Sequence, residues 1–190
     1  MNLSRNSILK LGFITLVGMG MAAVVIDRFS ETVNLREMII GQVAWYYQIP
    51  IGLVVGIISG IIANFITTRK FMESVRNKYT SMMSDLILDR SDTYFISFCA
   101  GVGEEMLFRG AIQPFAGIAF TAVFFVAIHG YLNLKNWRLM IYGVTMTIII
   151  GFIGLMAVKV GLVAAMVAHM FIDVVLLRNM NKEKSPNLES

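Results

Sequence analysis

Cysteine is almost missing from this chain, and the one present, Cys99, falls inside an apolar run. That excludes a disulfide framework and a cysteine-based metal centre, and it leaves Cys99 as a small packing residue. Charge is scarce too, at 15% of 190 residues against 57% hydrophobic. No serine stands in a nucleophile elbow and no helix carries His-Glu-x-x-His, so the usual serine and zinc protease signatures are absent. No nucleic-acid module is visible, and the net charge of +4 reads as loop charge that orients a membrane protein. Six short spans without a visible inverted repeat argue against a transporter.

What fills the chain is apolar runs close to the 20 residues that cross a bilayer, with a mean hydropathy of +0.72. The pattern predicts an all-α, polytopic membrane bundle of about six transmembrane helices with one amphipathic cytoplasmic helix. A first run over 11–26 resembles the start of a signal peptide, but it continues without a polar break and reads as a retained helix. The next, over 38–67, is too long for one span and is divided by Pro50. Trp45, Tyr46 and Tyr47 form an interfacial belt at its start. Gly52, Gly56 and Gly60 recur every four residues, a face for close packing within the molecule or, as the alternative, for a homodimer.

From 69 to 92 the character is amphipathic, with Phe71, Val75, Tyr79, Met82, Met83 and Leu86 at helical spacing and Arg69, Lys70, Arg76 and Lys78 on the polar face. Four further spans are expected at 93–115, 117–131, 139–158 and 160–177, the second of them short. The domain reading is two N-terminal helices and a connector over 1–92, a four-helix core over 93–178 and a polar tail over 179–190. With these spans, only Arg28, Arg36 and Lys159 face one side. Arg109 is intramembrane, and the other twelve Lys and Arg share the side of the N-terminus. The positive-inside rule then puts both termini in the cytoplasm. The compact chain with short loops suits a prokaryotic cell membrane.

Against this background Glu104, Glu105 and Arg109 stand out, because each charge at a bilayer centre costs about 2.5–3.5 kcal/mol on insertion scales. Glu105 and Arg109 are four apart with the acid first, the favoured order for an ion pair, whereas Glu104 is turned about 100° away and needs another partner. Both histidines of the chain are intramembrane: His129 shares a helical face with Phe125, and His169 shares one with Asp173. Their depths converge in the half of the bilayer nearer the cytoplasm. A carboxylate in a dry cavity can act as a general base, and an imidazole can share its water or donate to a developing oxyanion, so hydrolysis is the economical chemistry.

The three motifs, Glu104-Glu105-x-x-x-Arg109, Phe125-x-x-x-His129 and His169-x-x-x-Asp173, resemble in order and spacing those of the CAAX prenyl-protease and bacteriocin-processing family, also called the Abi family, which includes the eukaryotic Ras-converting endopeptidase. The resemblance covers 93–177. It implies an intramembrane endopeptidase in which Glu104 and His129 activate water, His169 and Asp173 line the oxyanion side, and Glu105 with Arg109 support them. It implies no required cofactor, a peptide or the C-terminus of a membrane protein as substrate, and membrane lipids as surroundings. Asp173 departs from the asparagine of well-studied members; an ionised aspartate cannot donate a hydrogen bond, so it must be protonated, orient His169 or bind metal. Two alternatives stay open: a zinc hydrolase with Glu104, His129, His169 and Asp173 as ligands, and a non-catalytic bacteriocin-immunity or scaffold protein.

Overall fold

A computed structural model describes residues 4–82 and 88–184, and among them every regular element is helical. The elements are α1 (Arg5–Phe29), α2 (Leu35–Ile40), α3 (Trp45–Thr67), α4 (Glu73–Met82), α5 (Arg90–Glu105), α6 (Gln113–Ile128), α7 (Trp137–Lys159) and α8 (Leu162–Lys184). A π-helical stretch, Met106–Ile112, joins α5 to α6. Five helical stretches are long and apolar enough to cross a membrane, the third being the whole 39-residue run Arg90–Ile128. Their outer faces carry large apolar side chains such as Ile58, Phe65, Phe120 and Ile148, all more than 45% exposed, a surface suited to lipid rather than water. The protein is a multi-pass membrane helix bundle.

The 39-residue run is not one straight helix. Gly117 has φ 77° and ψ 164°, a conformation open essentially to glycine alone, and there the chain turns back on itself. Beyond it, Phe125 packs edge-on against Phe108 at 4.9 Å and His129 approaches Glu104, so that residues equidistant from Gly117 meet as in a hairpin. The returning pass, 118–128, spans about 16 Å at 1.5 Å per residue, only half a bilayer. It corresponds to the short fourth span expected from the sequence.

Neighbouring helices fix the remaining directions. α1 runs parallel to α5, with Arg5 paired to Asp92 near one end and Gly103 closed against Thr15 and Leu16 further along. α8 runs antiparallel to α5, with Gly101 tight against Met166 and Met170 and Asn181 donating to the Leu88 carbonyl at 3.2 Å. α3 is parallel to α8. The chain therefore alternates between a lower face, which holds Arg5, α4 and the end of α8, and an upper face, which holds α2, Gly117 and Gly161.

The glycine stripe of α3 is what brings it so close to α8. A Cβ on Gly52 would lie 2.5 Å from the Ala164 carbonyl oxygen and one on Gly56 2.5 Å from that of Ala168. The face is therefore filled by α8 of the same chain, the first of the two uses expected for it. Gln48, fully buried, completes the joint: its side-chain amide donates to the carbonyls of Ile40 and Val43 while its oxygen accepts from the Ala164 N–H.

The amphipathic connector divides into a 3-10 turn, Lys70–Met72, and α4. It packs on the bundle: Met72 and Val75 are buried and Phe71 stacks on Trp137 at 5.8 Å. Met83 and Leu86 lie outside the described residues. α5 begins with a capping box in which the Asp89 and Asp92 side chains accept from each other's backbone N–H groups. At the other end α8 continues to Lys184, past the apolar stretch and into what composition alone assigns to the tail.

Candidate active site

Glu104 and Glu105 end α5, where the helix widens into its π-helical stretch. Such widenings are frequent at functional sites. Nothing in the residue pattern announces this one. Counted along α5, Glu104 is fourteen residues above Arg90, about 21 Å, and thirteen below Gly117. The site thus lies at mid-depth rather than wholly in one half, because the short α6 ends at His129 before reaching the lower face.

The structure brings all seven sequence-selected residues together. Glu105 is fully buried and forms an ion pair with Arg109, Oε2 to Nε 3.1 Å, as the i,i+4 spacing predicts. Its other oxygen takes a partner the spacing does not reveal: His169 Nδ1, 64 residues later, at 2.8 Å. A carboxylate there requires an N–H on Nδ1, which leaves His169 Nε2 turned toward Glu104 and Asp173, 3.9 and 3.7 Å away. His129 is held in the same sense, with Nδ1 donating to the Phe125 carbonyl at 2.7 Å and Nε2 facing Glu104 Oε2 at 3.6 Å.

Glu104 Oε2 is therefore approached by two imidazole Nε2 atoms, yet it has no hydrogen-bond partner among the described residues. The gaps of 3.6–3.9 Å exceed a direct hydrogen bond and are the kind a water molecule bridges. Phe125 forms the apolar wall. Its ring lies 4.4 Å from His129, 5.6 Å from His169 and 4.7 Å from the Arg109 guanidinium carbon. Tyr131, which the sequence reading did not select, stacks on His129 at 6.0 Å and edge-on against Tyr142 at 5.1 Å. Its only sequence signal is an aromatic two residues beyond the histidine.

A cavity of about 390 Å³ leads from the lower face to Asp173, between α4 and the lower halves of α3 and α8. Met72, Val75 and Leu176 make its walls apolar, and Asn64 and Arg76 add polar groups. The His129 side chain is 32% exposed, that of Asp173 28% and that of Glu104 only 13%, so Glu104 is the most enclosed of the three. Glu104, His129, His169 and Asp173 offer donors of the kinds zinc takes, but among the described residues no three His, Cys, Asp or Glu are grouped as a metal site.

Residues 90–175 match the family model described as type II CAAX prenyl endopeptidase Rce1-like. No curated protein and no solved structure matches the chain.

Proposed function

From the premise that residues 90–175 form an Rce1-like domain of the membrane-protease kind, we propose that this chain is an intramembrane endopeptidase in which Glu104 and His129 activate a water molecule. The observation that carries this reading is the unpartnered Glu104 Oε2 with the two Nε2 atoms turned toward it, beside a cavity open to one face.

In the proposed reaction, water sits between Glu104 Oε2 and His129 Nε2. As its oxygen attacks the peptide carbonyl, Glu104 takes one proton. His169 enters the step as the imidazolium: its Nδ1–H donates to Glu105 and its Nε2–H donates to the oxyanion, and neither proton is transferred. Glu105 stabilises that imidazolium, and Arg109 keeps Glu105 ionised and in place. The proton on Glu104 then passes to the leaving amine as the C–N bond breaks. No step needs a metal or another cofactor.

The substrate enters from the lower face, which the excess of Lys and Arg assigns to the cytoplasm. The apolar walls suit an apolar or lipid-modified segment, or the terminus of a membrane protein. The test is incubation of the purified full chain in detergent with a panel of quenched-fluorescence peptides, prenylated and unmodified, with and without chelator. Chelator-resistant cleavage supports the reading. Chelator-sensitive cleavage would favour the zinc hydrolase, and no cleavage of any member would favour an immunity or scaffold role.

A further inference from the structure

A second cavity, about 380 Å³, opens on the upper face between the α2–α3 connection, α6 and α7. Asn34, Glu37 and Gln42 line it, Gln113 lies deeper, and it reaches Arg109. Arg109 is completely buried, and its five N–H donors are poorly served. Nε faces Glu105, Nη2 reaches the Ile150 carbonyl at 3.5 Å, and Nη1 has no partner among the described residues. A buried charged donor without a partner is costly in a dry interior. The polar cavity ends against this guanidinium, whose Nη1 is itself buried.

The lower cavity ends on Asp173 and the upper one on Arg109. Between them stands a row of four polar side chains: Asp173 Oδ2 faces His169 Nε2 across a 3.7 Å gap, His169 Nδ1 donates to Glu105 Oε1 at 2.8 Å, and Glu105 Oε2 pairs with Arg109 Nε at 3.1 Å. Carboxylates and imidazoles in such a row are the usual components of intramembrane proton relays.

We propose that Arg109 is the seal between two cavities that enter from opposite faces, its fixed positive charge barring protons and cations from the row of acids and imidazole. A guanidinium neither gives up its proton nor accepts another, and a positive group at a constriction repels hydronium. Glu37 at the upper mouth draws cations toward the opening, which makes the barrier behind it matter more. The role does not depend on peptide cleavage, and its test has a separate readout.

The full chain is reconstituted into liposomes with an entrapped pH dye, and an imposed pH gradient is followed. Wild type holds the gradient like empty liposomes, Arg109→Gln dissipates it roughly tenfold faster, and adding Glu105→Gln, which interrupts the row, restores tightness. A folded Arg109→Gln variant as tight as wild type would overturn the seal, as would a leaky wild type. Should Arg109→Gln fail to fold, side-specific labelling decides. In a Cys99→Ala background, a membrane-impermeant methanethiosulfonate should modify Ala157→Cys only from the upper face and Leu176→Cys only from the lower. Failure to label Ala157→Cys from the upper face would overturn the proposal.

Discussion

Each ionisable side chain in the bundle interior has a neighbour that explains its presence, and the neighbours differ in kind. Arg109 answers Glu105, so Arg109→Ala leaves a buried carboxylate without its countercharge, a loss of about 3–5 kcal/mol for such pairs. We expect a large drop in thermal stability that the double variant Glu105→Gln with Arg109→Gln recovers in part; a double variant no more stable than the single would refute the pairing. Asp173 answers His169 at the inner end of the lower cavity. If it serves the oxyanion side by hydrogen bonding, Asp173→Asn retains substantial activity and extends it to higher pH, because an amide donates without first being protonated. A pH–rate profile checks this, and a dead variant rescued by zinc would point to a metal ligand. Six of the seven residues were legible in the sequence because charge and imidazole are expensive in lipid and each such residue needs a reason, and Phe125 was legible only through its spacing from His129. The bond between Glu105 and His169 was not legible, since 64 residues of chain intervene and only the antiparallel packing of α5 and α8 brings the two together.

At the level of elements, helix spacing and hydropathy gave the multi-pass helix bundle and the short returning segment within the 39-residue run. They did not give the π-helical widening, which depends on how the turn above Glu105 packs, nor the extent of α8, whose last turns are polar but held by the Asn181 bond to Leu88. Gly117 is the hinge of the returning pass. Gly117→Ala meets no steric neighbour but must adopt a backbone conformation costing about 1–3 kcal/mol. The expected outcome is a lower melting temperature together with lower cleavage, because His129 loses its place beside Glu104; unchanged values for both would show that the turn does not position the histidine. At the start of α5, the Asp89 carboxylate is held below the usual range by the Asp92 N–H and the Ser91 hydroxyl. Its cap is at full strength above its unfolded value of about 3.9 and fades as pH falls through the lower folded value. Thermal melts of wild type and Asp89→Asn should therefore converge on acidification below that range, and a constant difference would contradict the capping role.

As a whole, the molecule is a lipid-facing shell around one polar row, with access from the lower face to Asp173 and a polar recess above Arg109. Small residues allow this in so short a chain: glycines on α3 and α5 let α8 pass close enough for His169 to reach the acids. The central claim is that Glu104 and His129 activate water for peptide hydrolysis, and the most direct measurement is cleavage by purified Glu104→Gln and His129→Ala beside wild type. Both variants should fold and melt nearly as wild type does, since neither residue is part of the buried ion pair. The account predicts that both lose cleavage; cleavage by either at a rate comparable to wild type would contradict it.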